Sequence, residues 1–327
     1  MRNLALKPTT SARPAIDSER RITRHLPASK QRLGAIVCVA LAGCASVLPA
    51  AADALPNDPL QRRCWTEHTA QRSGVDLRTP TAVRFTNLRN GDSVRSPFLV
   101  EFGVRGMGVI PAGNAHPKAG HHHLLIDTPL PLNHQEKIPF SDTHRHFGKG
   151  QTGTLLELPP GRHTLRLLFA DHEHRPYFVY SPELVITVEG KRSDPPPVID
   201  ANDFAATCAA WYRNEISAPR SAAKEVYVKN LRSGEVVDSP FVISLGVSGY
   251  GVAPANTTVK DTGSFVIALR QGGAPARTYA LTDGRTEALI DVPRGEYNVE
   301  LRFLGADGTP LLTAAPMSIT AARQLGQ

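Results

Sequence analysis

Short runs in which apolar and polar residues alternate, broken by glycine and proline, recur along most of the chain. Leu165, Leu167 and Phe169 share one face of such a run, and Val299, Leu301 and Phe303 share one face of another. A period of two sends successive side chains to opposite faces, so each run predicts a half-buried strand. Long stretches with the 3.6-residue helical period are missing. Two short segments, NDPLQRRCWTEHTAQRS and DANDFAATCAAWYRNEIS, read as helices, with Asn57 or Asp58 capping the first and Asp200, Asn202 or Asp203 the second. The fold class is therefore all-β.

The same pattern is written twice. A shift of 143 residues lays VRFTNLRNGDSVRSPFLVEFGVRGMGVIPAG (83–113) on VYVKNLRSGEVVDSPFVISLGVSGYGVAPAN (226–256). Further on the shift becomes 134, laying QTGTLLELPPGRHTLRLLFAD (151–171) on RTEALIDVPRGEYNVELRFLG (285–305), so the second copy is about nine residues shorter. Period-2 strands with a P-x-G-x-[HY] turn before a late strand suit an immunoglobulin-like sandwich. Two copies are too few for a solenoid. We expect two tandem immunoglobulin-like β-sandwich domains, at 81–190 and 224–323, each preceded by a short helical segment (55–80 and 200–223). The proline-rich stretch KRSDPPPV falls in an extended linker at 191–199.

Cys64 and Cys208 stand 144 residues apart, almost the repeat interval, each with a nearby tryptophan (Trp65, Trp211). That equivalence predicts a disulfide joining the two helical segments; the alternative is two separate buried thiols.

Charge changes the picture mainly through the first 54 residues. Residues 2–32 carry eight Lys/Arg against Asp17 and Glu19, and the apolar stretch LGAIVCVALAG (33–43) follows. A basic segment before a short apolar one reads as a secretory leader, too short for a membrane span. Two cleavage sites compete. Leu41-Ala42-Gly43-Cys44 resembles a lipobox, which would leave Cys44 as a lipidated N-terminus, and small residues near 52–54 offer an ordinary signal-peptidase site. Without the leader's charges the formal +7 falls to about +1, so the basic pI gives no support to nucleic-acid binding. The expected location is the periplasm, or the outer membrane as a lipoprotein, with no transmembrane helix in the mature chain.

Ten of the 12 histidines lie between Ala115 and Arg175, and none follows. The second copy is thus an internal control: a scaffold that needed imidazoles would carry them in both copies. In GHHHLLID (120–127), His122, Leu124 and Ile126 align with Phe265, Ile267 and Leu269, a core face, so His122 reads as a core histidine. His121 and His123 align with Ser264 and Val266 and read as the outer face. They project to one side about 6–7 Å apart, a spacing that lets two imidazoles reach one ion. His144 and His146 in THRHFGKG repeat the arrangement. Neutral imidazole suits copper and zinc. With His163, which aligns with Tyr297 and is as well suited to packing as to ligation, and His174, these six form the candidate metal set. His116, His134 and His172 read as solvated loop residues. G-x-S-x-G, H-E-x-x-H and phosphate-binding glycine loops are all absent from the sequence, which argues against an enzyme.

The motifs GHHHLLID, HRHFGKGQT and LPPGRHTLRL together resemble a family of small bacterial exported domains of unknown function over about residues 81–190. Its pattern falls on His121, His122, His123, Asp127, His144, His146, Phe147, Gly148, Gly150, Gln151, Thr152, Gly161, His163, Asp171 and His174, while a family histidine just after the proline is Tyr177 here. The resemblance implies export and a shared histidine cluster, and it implies no particular activity. The expected function is an exported binding protein holding a copper or zinc ion in its first domain, its second domain a scaffold or a docking site for another envelope protein. The alternatives are a cell-envelope interaction module with a metal-free histidine network, and, third, a metalloenzyme.

Overall fold

The protein is described by a computed structural model that covers residues 53–70, 72–74, 81–220 and 223–324. The leader through residue 52, and with it Cys44 and the lipobox, lies outside the described residues.

Helix α1 spans Pro59–Thr69. Asp58 caps it by accepting the Gln61 N–H at 2.9 Å, and Pro59 occupies the first turn, where a missing N–H costs nothing. Ten strands follow: β1 (Ala82–Phe85), β2 (Ser93–Ser96), β3 (Phe98–Arg105), β4 (Gly108–Val109), β5 (Ala119–Ile126), β6 (His144–His146), β7 (Gly153–Leu156), β8 (Gly161–Ala170), β9 (Pro176–Tyr180) and β10 (Leu184–Lys191). A 3₁₀ turn at Ala201–Asp203, closed by the Asp200 side chain on the Asn202 N–H, leads into α2 (Phe204–Ile216). The second copy then runs β11 (Val226–Val228), β12 (Glu235–Ser239), β13 (Phe241–Val247), β14 (Gly251–Val252), β15 (Thr262–Arg270), β16 (Arg277–Ala280), β17 (Glu287–Ile290), β18 (Gly295–Leu304), β19 (Pro310–Thr313) and β20 (Met317–Gln324).

Each copy is an immunoglobulin-like β-sandwich. In the first, the sheet β1-β3-β7 faces the sheet β2-β10-β8-β5, and β11-β13-β17 faces β12-β20-β18-β15 in the second. Alternation explains the two cores. Phe98, Val100, Phe102, Leu165, Leu167 and Phe169 meet between the first pair of sheets, and Phe241, Ile243, Leu245, Leu301 and Phe303 between the second. Burial of this apolar surface, about 25 cal/mol per Å², is the main stabilising term.

The Cys64 and Cys208 sulfurs stand at disulfide distance, 2.05 Å, joining α1 to α2. Trp65 beside them is buried against Tyr212, lies under the Arg232 guanidinium, and donates its indole N–H to Glu235 Oε1 at 2.6 Å. The helical segments thereby reach both copies.

The two sandwiches meet with near two-fold symmetry. Val109 of β4 pairs with its own counterpart, Val252 of β14, so the large sheets of both copies form one continuous sheet. The Val104 N–H donates to Thr286 Oγ1 at 3.0 Å, and in the mirrored contact the Val247 N–H donates to Thr152 Oγ1 at 3.3 Å. Glycines permit the approach: a Cβ on Gly150 would stand 2.7 Å from Gly251 Cα, and one on Gly284 2.4 Å from Gly108 Cα. Lys229 is buried in the joint, donating to the carbonyls of Phe102 (2.7 Å) and Thr152 (2.8 Å), and burial lowers its pKa to about 8.

The mirrored hydrogen bonds yield the first prediction. Thr152→Val and Thr286→Val preserve shape and leave a buried N–H without an acceptor. Each should cost about 1–3 kcal/mol, read as a shift in the denaturation midpoint of the full chain. A cost indistinguishable from zero for both would disconnect these threonines from the joint.

Candidate metal centre

Strand β5 carries the three consecutive histidines, and all eight of its residues are buried. His122 points between the sheets with Leu124 and Ile126, as the sequence implies, its ring against Phe102 and Phe169. Burial holds it neutral, with a pKa lowered to about 3. His121 and His123 point the other way, but the expected solvent-facing surface is a second interior. Residues 128–143, the segment largely missing from copy two, fold across that face. Ile138 packs there on Leu125, Leu168 and Ala170, and its N–H donates to the His174 carbonyl at 2.9 Å. A cover supplied by a long loop leaves no trace in the strand's own period, so that expectation is corrected.

Beneath the cover four imidazoles gather. His121 and His123 present their Nε2 atoms to each other at 3.1 Å. His146 of β6 lies directly opposite His123 in the antiparallel ladder, its ring 4.9 and 5.1 Å from those of His121 and His123. His174 comes from the turn after β8, where Asp171 Oδ1 accepts the N–H groups of Glu173 and Arg175 and the histidine backbone is left-handed (φ 71°). Its ring stands 4.8 Å from His146 and 5.0 Å from His121. One ligand atom from each of His121, His123 and His146 can be chosen with all three within 4.8 Å of one another. For comparison, two nitrogens bound to one tetrahedral zinc stand about 3.3 Å apart, given bonds of about 2.0–2.1 Å.

The electrostatics suit ligation, which needs neutral rings. Burial first, then the neighbouring imidazoles, lower His121 to about 3 and His123 to about 2; Asp171 partly opposes the shift at His121. Burial and His174 lower His146 as well. Buried ring nitrogens remain without a hydrogen-bond partner: Nδ1 of His121, Nδ1 of His123 and Nε2 of His146.

Two members of the sequence-derived metal set stand elsewhere. His144 is one step too far along β6, opposite Leu125, and its Nδ1 meets the hydroxyls of Ser141 (3.2 Å) and Thr143 (3.1 Å). Both ring nitrogens of His163 are engaged, Nδ1 with Asp127 at 2.7 Å and Nε2 with the Pro159 carbonyl at 2.9 Å. Burial would lower its pKa, but the hydrogen bonds to Asp127 and Pro159 prevail and raise it. Its counterpart Tyr297 makes the equivalent bond, from its hydroxyl to the Pro293 carbonyl four residues back, at 2.8 Å. His163 is therefore a corner residue that ties the strand to the preceding turn. Tyr177 stacks on Phe169 and donates to the Ala119 carbonyl. His116 accepts the Lys118 N–H, and His134 lies against Phe178.

Two residues outside that set shape the site. Phe140, on the covering loop and largely exposed, stacks on His146 at 4.5 Å and 19° and meets His174 edge-on. Gly148 leaves room for the His146 ring, since a Cβ there would lie 2.1 Å from its Cε1. HFGKG holds a visible signal for that glycine; nothing in the sequence marks Phe140. Among the described residues a second group, Cys64, Cys208 and His68, also has metal-like spacing, but its sulfurs are at bonding distance, leaving one ligand.

A family model described as a domain of unknown function (DUF4399) matches residues 100–189, from within β3 to within β10, and so contains all four gathered histidines. No curated protein matches the chain. Among solved structures, the chain is similar to the FN1–FN3 domains of chicken CNTN1 (12% identity, TM-score 0.21, covering 72% of this chain and 67% of that one). It is also similar to the fibronectin(III)-like modules of Clostridium thermocellum CbhA (10%, TM-score 0.20, 74% and 94%) and to a two-domain fibronectin type-III segment of chicken tenascin (11%, TM-score 0.17, 73% and 96%). Likeness at this level says nothing about what the chain does.

Two predictions follow from the buried imidazoles and the corner. His121, His122 and His123 bind protons in the unfolded chain below about pH 6.5 and not in the folded one. Their stabilisation is thus complete above that value and is lost as pH falls toward 3. The three together should contribute a loss of up to about 4 kcal/mol per pH unit below pH 6 to the metal-free protein, opposed by groups such as His163 and Glu101 whose pKa values are raised. Denaturation of the wild type and of His121→Ser with His123→Val at pH 7, 6 and 5 isolates the share of two of them, and equal slopes for the two proteins would contradict it. Second, His163→Tyr should change stability by less than about 1 kcal/mol, since the other copy uses tyrosine in the same bond; a loss of several kcal/mol would give the imidazole a role of its own.

Proposed function

We propose that the chain is an exported binding protein of the cell envelope, periplasmic or lipid-anchored, whose first sandwich holds one copper or zinc ion on His121, His123 and His146, with His174 as fourth ligand. One observation carries the reading. Three neutral imidazoles converge in a covered pocket, and buried nitrogens of all three lack any other partner. The second sandwich, which lacks histidine, is the scaffold and offers a docking surface for another envelope protein. Export rests on the leader's basic and apolar pattern and on two cysteines at disulfide distance. Among the described residues, no helix is long and apolar enough to cross a membrane.

Binding is preferred over catalysis on coordination grounds. A catalytic ion keeps a position open to substrate, whereas four imidazoles under a phenyl ring close the sphere. The second reading, a metal-free histidine network, draws on the His121–His123 contact, which one ring can supply as an N–H donor to the other.

Equilibrium dialysis of the full chain against Cu(II), Cu(I) and Zn(II), followed by metal analysis, separates the two. The expected result is one ion per chain. His121→Ser with His123→Val, the residues that copy two accepts at these positions, should abolish binding in a folded protein. His144→Ala should leave it unchanged. Retention of wild-type affinity by the folded double variant, or no uptake of any of the ions, would overturn the metal reading in favour of the network.

A further inference from the structure

Of the 12 histidines, ten fall in one run, His25 lies in the leader, and His68 stands beside the disulfide. It follows Cys64 by four residues on α1, so the two side chains share a helix face. Its Nδ1 lies 3.6 Å from Cys208 Sγ and 3.1 Å from the Cys64 carbonyl, which accepts its proton in one tautomer. Tyr212, four residues after Cys208 on α2, stacks on the imidazole at 4.2 Å and 29° and fixes the plane of the ring.

In the oxidised chain the two sulfurs are spent on each other. In the reduced chain the same three residues offer two thiols and an imidazole, with one ligand atom from each within 4.8 Å of the others. A nitrogen and a sulfur bound to one tetrahedral zinc stand about 3.6 Å apart, given bonds of about 2.0–2.1 and 2.3 Å. The His68–Cys208 separation has that value already. The sulfurs would part to about 3.8 Å, a change that rotation of the side chains supplies with the Cα atoms 5.6 Å apart. Both cysteines are buried, so two thiolates there would be costly unless a cation neutralised them.

We infer that Cys64, Cys208 and His68 form a second metal site, which takes a thiophilic ion such as Zn(II) in the chain whose disulfide has not closed. The ion and the disulfide are alternatives at one place. Ligation displaces two thiol protons, uses the His68 tautomer with its proton on Nε2, and moves no electrons. Closing the disulfide passes two electrons and two protons to a disulfide oxidant, which leaves as two thiols. A bound ion occupies the sulfur lone pairs that this exchange needs, and so holds the dithiol back from oxidation. The inference is independent of the first metal reading, because the two sites share no residue.

The test uses the full chain, reduced with dithiothreitol, freed of it without oxygen, and dialysed against Zn(II) or Co(II) beside the oxidised chain. The reduced form should take up one ion more than the oxidised form. The same difference of one should hold with His121→Ser and His123→Val, where the histidine cluster is disabled. Co(II) in the reduced form should show thiolate-to-metal charge-transfer absorption. Zn(II) should slow disulfide closure by oxidised glutathione at least tenfold. His68→Phe, which keeps the stack on Tyr212 and removes the nitrogen, should weaken Zn(II) at the reduced site at least tenfold. Equal uptake by the two forms, no charge-transfer band, unchanged affinity in His68→Phe, or loss of the folded state on reduction would overturn the inference.

Discussion

The architecture depends on one constraint, the docking of two copies of the same sheet edge onto each other. Where a backbone edge meets its own repeat, each donor must find its acceptor in the mirrored place, and two threonine hydroxyls do this for Val104 and Val247. A buried N–H left unmatched costs about 1–3 kcal/mol, so the requirement is strict. Side chains at the joint need not obey the symmetry. Lys229 satisfies two carbonyls of the other copy, whereas its counterpart Thr86 faces Glu287 across Gly103. The backbone is held symmetric while the polar groups around it diverge.

The same division separates the two copies at the histidines. Copy two keeps the strands and lacks the imidazoles; copy one adds a longer segment between β5 and β6. That segment converts the outer face of β5 into an interior, and its burial is what drives His121 and His123 far below the ordinary histidine pKa. Without the cover the two rings would be solvated and would titrate normally. The histidines and the loop therefore make sense only together, in keeping with both falling in one copy.

Much of this was legible in the sequence. The period of two and the 143-residue repeat imply the sandwiches. The equivalence of Cys64 with Cys208 implies the helix pairing. The H-x-H spacing puts His121 and His123 on one face. What periodicity cannot supply is the ladder register, which sets His146 opposite His123 and leaves His144 beside Leu125. Nor can it reveal a cover made by a loop, which turns the outer face of β5 into an interior. His163 was decidable from the alignment with Tyr297, since a residue replaced by tyrosine in a copy without the cluster is doing work that tyrosine can do. The approach of His174 depends on a left-handed residue in a five-residue turn, a feature with no sequence period at all.

The polar accounting of the pocket supplies the last step. A neutral imidazole carries one N–H and one lone pair, and burial requires partners for both. Among His121, His123 and His146 a single nitrogen–nitrogen contact is close enough for a hydrogen bond, while a buried nitrogen on each of the three has none. At about 1–3 kcal/mol for each unmet group, the pocket is a local weakness that the surrounding sheets offset. Phe140 gives these rings stacking surface but no donor or acceptor. On the proposed reading, an ion bonded to one nitrogen of each ring replaces an unmet group with a coordinate bond and fixes which nitrogen keeps its proton. The unmet groups and the proposed affinity then have the same origin: neutral imidazoles whose ring nitrogens are buried without hydrogen-bond partners.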